Sequence, residues 1–422
     1  MKKILTFIIL SFSVFSIHAV AQETIETDYT SFIEMVIQKN REYQVQQLDV
    51  LDYEAGVKAA GVRADPELEV SYLENRENKL RKGPGFEGQL SWDLEFGGKR
   101  KARINVAREQ YRWSREILKG AEENLKMEAS IAYLESVLAE QAFSVIEKAY
   151  QSMSRIAAFD SIRHQLGEIP KMEAQQSRLE ANLAYNEFKE AKLNWQNKLI
   201  NLQSLIGNTS DTLYTPVYSI NIDFPDFDFD FWYQQALNNK SDLYVAEQER
   251  KWMEAEAHAV RADRRMDLVL FAGVEHNKTS VTPALDSPAE TIFNIGFSFP
   301  LKFSNNNKAA LYQADIAIKQ ADIHLEHTRS ELYNGLKEQY ATFRKYKEMM
   351  QTIQEEWLPE AEEMLKASNY AYERGSTTFL QVLHAQRANQ EIQLQFLDTK
   401  AAYIEALLSL QFLSNYWYYN WE

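Results

Sequence analysis

Four stretches of the chain alternate apolar with polar residues. In ELEVSYLENRE, Leu68, Val70 and Tyr72 fall on one side, and Glu67, Glu69 and Ser71 on the other. GQLSWDLEF sets Leu90, Trp92, Leu94 and Phe96 against Gln89, Ser91, Asp93 and Glu95. MDLVLFAGVEH follows the rule less cleanly. NIGFSFPLKF sets Ile295, Phe297, Phe299, Leu301 and Phe303 against Asn294, Gly296, Ser298, Pro300 and Lys302. A period of two over such lengths predicts strands able to cross a bilayer at a tilt. They are expected at about 66–77, 86–96, 266–277 and 291–303.

Between the alternating stretches the period becomes helical. From Lys99 to Leu166 there is no proline and only Gly120, which predicts one helix about 100 Å long. Its return partner runs from about Lys171 to Leu205. A second outward helix is expected from Asn307 to about Arg374, broken or kinked at Pro359, where a backbone bond is lost. Thr377 to Leu413 returns, with Leu397, Ala401, Ile404 and Leu408 on one stripe. A single helix precedes each strand pair, in SFIEMVIQKNREYQVQQLDVLDYEAGVKAAGV and in FWYQQALNNKSDLYVAEQERKWMEAEAHAV. Before the latter, Asp230 is expected to cap the helix, with Phe224 to Phe229 packing across a waist. The aromatic tail SNYWYYNWE is expected on the same belt.

The pattern occurs twice. Gly167 and Gly375 lie 208 residues apart, and Leu202-Gln203 matches Leu410-Gln411 at that offset. VRADPELEVSY resembles VRADRRMDLVL, and DLEFGGKRKA resembles FPLKFSNNNKA. The chain is therefore divided into a signal peptide (1–21), a first repeat (22–207), a linker or equatorial segment (208–229), a second repeat (230–415) and an aromatic tail (416–422).

Composition narrows the function. Met1-Lys2-Lys3, an apolar run from Ile4 to Ile17 and Ala19-Val20-Ala21 have the form of a cleaved secretory signal. No run of eighteen apolar residues follows Gln22, which removes helical membrane spans but not barrel strands. The absence of cysteine excludes thiolate metal sites and an N-terminal lipidated cysteine. A net charge of −15 speaks against nucleic acid. No nucleophile, base and acid set can be assembled with any specificity, so neither an enzyme nor a cofactor is expected. His324 and His327, with Asp322 and Glu326, share a helical turn, but a solvated helix face is the favoured reading over a metal site.

Four strands cannot close a barrel, and an open sheet edge is forbidden in lipid. Three copies would make a 12-stranded barrel around water, with the long helices projecting as a tube. The expected fold is a mixed membrane β-barrel plus long α-helical barrel. The alternative keeps the strands as a small soluble sheet, in a periplasmic coiled-coil scaffold or adaptor.

The chain resembles the TolC-type outer-membrane efflux channel family over nearly its whole length. It is most similar to the heavy-metal cation branch, of copper–silver and cobalt–zinc–cadmium type. The resemblance rests on the tandem repeat and on LEFGGKRKAR, with Gly97 and Gly98 at the strand–helix junction. It rests equally on YxxGxxxxLxVLxAQ from Tyr372 to Gln386, LGEI at Leu166 and LxxLIG at Leu202. It implies a homotrimer in the outer membrane lipid of a Gram-negative cell, passively conducting heavy-metal cations outward. Drugs or secreted proteins are the alternative cargo. Its partners would be a periplasmic membrane-fusion adaptor and an inner-membrane resistance–nodulation–division pump. Leu166, Gly167, Glu168, Arg374, Gly375 and Ser376 would be the adaptor-contact tips. Glu173 and Tyr372 would share a gate hydrogen bond between hairpins. Gln381 and His384 stand where well-known members carry an aspartate ring, so the acidic ring is absent there, and His384 offers a titratable group instead.

Overall fold

A computed structural model describes residues 24–74, 84–207, 213–217, 227–278, 280–282, 285–301 and 306–417. The expected signal peptide, Phe224 and the last five tail residues lie outside these. The first half runs β1 (Thr24–Thr27), α1 (Tyr29–Lys39), α2 (Arg41–Ala60), β2 (Glu67–Leu73), β3 (Gly85–Leu94), α3 (Lys99–Gln165) and α4 (Lys171–Ile206). Next come β4 (Leu213–Pro216), α5 (Phe229–Asn239), α6 (Ser241–Asp263), β5 (Leu268–Asn277), the short strands β6 (Ser280–Thr282) and β7 (Leu285–Ser287), and β8 (Glu290–Ser298). The chain closes with α7 (Asn306–Thr352), a π-helical turn (Ile353–Trp357), α8 (Leu358–Glu373) and α9 (Phe379–Ser414).

The four long strands form one antiparallel sheet in the order β2-β3-β5-β8. Leu68 stands opposite Leu90, Leu90 opposite Ala272, and Ala272 opposite Ile295. Because side chains alternate across a strand, this register gathers Val70, Tyr72, Phe86, Trp92, Leu270, Val274, Phe293 and Phe297 on the same face. That apolar face is open: Val70 is 71% exposed, Phe293 79% and Ile295 88%. The opposite face collects Glu67, Glu69, Glu87, Asp93, Glu275 and Glu290, and none of its described strand residues is Lys or Arg. No described helix is long and apolar enough to cross a membrane.

The 67 residues of α3 form one unbroken helix of about 100 Å. The interruption expected at Pro359 is present, and it takes the form of a π-helical turn between α7 and α8. The π turn absorbs the proline: the Leu358 N–H reaches back to the Ile353 carbonyl. Pro359 then sits at the start of α8, where a missing N–H costs least.

The single helix expected before each strand pair is also corrected. Each is two helices, parted by an extended residue, Asn40 in one copy and Lys240 in the other. Asn40 caps α2 by accepting from the Tyr43 N–H at 3.0 Å, and its amide donates to the Leu205 carbonyl at 3.2 Å. Asp228, not Asp230, caps α5, accepting from the Phe231 N–H at 2.8 Å. Asp230 lies in the first turn instead.

Two clusters fill the waist. Tyr29, Phe32, Val36, Tyr133, Leu202 and Ile206 form the first, beside the parallel pairing of β1 with β4. Trp232, Leu336, Tyr403, Ile404, Leu408 and Leu410 form the second. Each fully buried large side chain contributes about 1.5–3 kcal/mol. Phe227, Phe231 and Tyr416 join this second belt, with Phe227 stacked on Phe231 at 4.2 Å and Tyr416 edge-on to Phe231 at 5.2 Å. At the strand end of the molecule, Gly97 and Gly98 take positive φ (77° and 79°) between β3 and α3. Arg265 lies over Gly97 and donates to its carbonyl at 2.6 Å.

Candidate functional tips

Far along the sequence from the sheet, each helical hairpin turns on a glycine. α3 ends at Gln165, and Gly167 adopts φ 79°. The Glu168 N–H then closes on the Arg163 carbonyl at 2.9 Å, and the Gly167 N–H on that of His164 at 3.0 Å. The second hairpin repeats this. Gly375 has φ 71°, Ser376 N–H bonds the Ala371 carbonyl at 2.9 Å, and Gly375 N–H bonds that of Tyr372 at 2.9 Å. Both ends satisfy their last carbonyls through a left-handed glycine, which an L side chain adopts only with strain. A Cβ on either glycine would meet open space, so no packing inside the chain demands these residues.

The tip residues are presented outward. Leu166, Gly167, Glu168, Arg374, Gly375 and Ser376 are all exposed, Leu166 to 69%. Arg163 reaches Glu168 at 3.3 Å, and the Arg374 guanidinium lies 4.0 Å from the Tyr370 ring centre.

Behind the tips the two hairpins are pinned together. Met153 and Ala181 from the first pack against Tyr372, Phe379, Val382 and Leu383 from the second. Within this core the Tyr372 hydroxyl donates to Asp160 Oδ1 at 2.6 Å, both residues being buried. The expected partner was Glu173, and the structure corrects this. Glu173, in the first turn of α4, acts on Tyr372 only through its charge. Burial foremost, then the bond to Asp160 and the neighbouring negative charges, push the phenol well above its ordinary range, while Arg163 opposes. Tyr372 therefore remains a donor. Asp160 and Arg163 were not singled out from the sequence, although a signal existed. Met153, Ile156, Ala157 and Asp160 follow one helical stripe, and an acid on an apolar stripe needs a buried partner.

Gln381 occupies the third position of a capping box. Its backbone N–H donates to Thr378 Oγ1, and its side chain accepts from the Thr378 N–H, each at 3.4 Å. Its side chain is thereby committed to ending the turn. His384 lies one turn further on, exposed. Below it the hairpins are cross-linked by Arg387 with Glu180 at 2.7 Å and by Gln390 with Glu187 at 3.2 Å.

The histidines of α7 are engaged separately. His324 meets Glu249 at 2.8 Å and His327 meets Glu331 at 3.2 Å, while Asp322 pairs with Arg250 at 2.6 Å and Glu326 with Arg329 at 3.0 Å. Among the described residues no cluster of three or more such ligands could hold a metal ion.

A sheet with one open apolar face and one acidic face, standing on two long helical hairpins with exposed glycine tips, defines an outer-membrane channel protein. The family model described as "Outer membrane efflux protein" matches residues 32–208 and 232–415, and the chain belongs to that family. It is 26% identical over 356 residues to the cobalt-zinc-cadmium resistance protein CzcC of Cupriavidus metallidurans, covering 82% of this chain and 79% of that one. In fold it is similar to a crystal structure of CusC, with a TM-score of 0.74, 18% identity and 92% of each chain covered. It also resembles the CmeC outer membrane channel of Campylobacter jejuni, with a TM-score of 0.72, 16% identity and coverage of 92% of this chain and 85% of that one. The family and these structures are of channels rather than enzymes.

Proposed function

We propose that three copies of this chain share one 12-stranded barrel in the outer membrane and carry heavy-metal cations outward through the barrel and a helical tube below it. In this reading a signal peptide covering 1–21 directs export. The two repeats, 22–207 and 230–415, each supply two barrel strands and one hairpin of the tube. Transport is passive, with energy coming from an inner-membrane resistance–nodulation–division pump through a periplasmic membrane-fusion adaptor. Leu166, Gly167, Glu168, Arg374, Gly375 and Ser376 form the docking tips for that adaptor. Tyr372 and Asp160 hold the mouth shut, with Glu173 beside them and His384 exposed one turn beyond Gln381.

The observation that carries the cation reading is the sheet's acidic face. Six carboxylates and no cation line the described strand residues on the side opposite the open apolar face. When the apolar side meets lipid, the acidic side borders the bore, where fixed charge of one sign concentrates counter-ions. The similarity to a cobalt-zinc-cadmium resistance protein agrees with this cargo.

The test is ion selectivity in planar bilayers under a salt gradient. The purified protein should give a reversal potential on the cation side, and Glu67→Gln with Glu69→Gln, Glu87→Gln and Glu275→Gln should move it toward zero. Anion selectivity, or a potential indifferent to those changes, would refute the cation reading while leaving the channel.

A further inference from the structure

We infer that the end of the sheet nearest the long helices carries a binding girdle for the phosphate headgroups of anionic phospholipid. The inference rests on the membrane reading above. Its basis is a sorted layering of side chains. One row of the sheet register runs Trp92, Leu270, Phe297, and all three lie on the open apolar face. Phe297 stacks on Phe299 at 6.2 Å, and Phe96 is 51% exposed nearby in sequence. Aromatic residues collect at the level where hydrocarbon gives way to headgroups, because one ring edge tolerates water. The Trp92 indole already donates downward, to the Ala64 carbonyl at 3.1 Å.

Next to that row, charge of the opposite sign to the whole protein accumulates. The segment KRKARINVAR, Lys99 to Arg108, contains five bases and no acid in a chain of net charge −15. Arg108 stands further along α3, and the other four, with Arg63, Arg264 and Arg265 from the neighbouring segments, divide into two sets. Arg100 and Arg103 are tied to the end of α2: Arg100 donates to the Gly61 carbonyl at 2.6 Å, and Arg103 to those of Ala60 and Val62 at 2.9 and 3.1 Å. Arg103 also pairs with Glu95 at 2.5 Å. Lys99 is buried on Asp267, and Arg265 is fixed on Gly97. Together they lock β3, α2, α3 and the start of β5 into one rigid junction.

The second set serves no such purpose. Arg63, Lys101 and Arg264 are exposed, and none is held by a carboxylate among the described residues. Arg63 adjoins Ala64, the acceptor for Trp92, which puts it beside the aromatic row. Arg264 adjoins Arg265 on Gly97, and Lys101 lies in the first turn of α3. Free guanidinium and ammonium groups on a rigid junction, immediately below an apolar and aromatic face, match a layer of phosphate diesters in position and sign. A neutral zwitterionic headgroup offers the same phosphate but no net charge, so the girdle favours the anionic lipid.

The experiment uses the full protein in detergent and in vesicles. Dioleoylphosphatidylglycerol, dioleoylphosphatidylcholine or inorganic phosphate is added, and the thermal dissociation of the assembly is followed on gels. Phosphatidylglycerol should raise the midpoint by several degrees, and phosphatidylcholine and phosphate should not. The triple variant Arg63→Gln, Lys101→Gln, Arg264→Gln should lose that rise while still forming conducting channels. The variant Arg63→Lys, Arg264→Lys should keep most of it. An equal rise with phosphatidylcholine, or an undiminished rise in the triple variant, overturns the girdle but not the channel. Failure of the unaltered protein to insert or conduct at all overturns both.

Discussion

The Tyr372 hydroxyl and the Asp160 carboxylate, 212 residues apart, meet at 2.6 Å in a buried pocket that joins the two hairpins of one chain. Asp160 is fully buried, and its second oxygen has no hydrogen-bond partner among the described residues. Tyr372→Phe leaves that carboxylate without its donor, at about 1–3 kcal/mol. The hairpins should part more easily, read as higher single-channel conductance of the closed mouth. Asp160→Asn, which can still accept from the phenol, should have the milder effect. Unchanged conductance in Tyr372→Phe would remove this bond from any latch.

Two positive-φ glycines should respond differently to substitution. Alanine at Gly375 meets no atom and suffers only backbone strain, about 1–2 kcal/mol. Alanine at Gly97 suffers the same strain and places its Cβ 2.5 Å from that of Arg265, so the junction must shift. Gly97→Ala should therefore lower thermal stability well beyond Gly375→Ala. Gly375→Val should abolish efflux while the protein stays in the membrane, because its surroundings in the chain are empty. Full resistance in that variant at normal expression would remove Gly375 from the docking surface.

Lys240 is 1% exposed, 2.9 Å from Glu123 and 3.5 Å above the Phe412 ring, and Ser241 donates to the same carboxylate. Lys240→Met strands a buried negative charge and should cost about 3–5 kcal/mol. Adding Glu123→Leu should recover most of that loss. A melting series on the two variants separates an ion pair needed as a pair from one needed for its charge.

Tyr43 ties α2 to α3 through Glu122 at 2.8 Å, and burial, followed by that bond, raises its pKa from 10.0 to about 12. The folded value exceeds the unfolded one, so the contribution is complete below about pH 10 and fades as pH climbs toward about 12. Melting temperature should fall along that alkaline branch more steeply than in Tyr43→Phe. Parallel curves for the two proteins would contradict the assignment.

The helices and strands were legible because their signals are local. Nothing between Lys99 and Gln165 interrupts a helix, and the two-residue period of β3 and β8 survives intact. What escaped depends on distant residues. Lys240 opens a gap between α5 and α6 without a side-chain cap of its own, held by Glu123 from another helix. The choice of Asp228 over Asp230 turned on where the first turn begins: Asp228 accepts from the Phe231 N–H three residues on, and an aspartate at either position fits the sequence rule. The partner of Tyr372 was misassigned because Glu173 and Asp160 lie on opposite sides of the same tip. Only the packing of α3 against α8 and α9 chooses between them.

The sheet ends at β2 on one side and β8 on the other, and in the shared barrel proposed above each polypeptide leaves two rows of backbone groups for its neighbours to complete. Damage there does not stay with its owner. A cell producing both sound and defective copies would close mixed rings, and the sound ones would be spent in company with the faulty. Alleles that spoil either border should accordingly act as poisons rather than as simple losses.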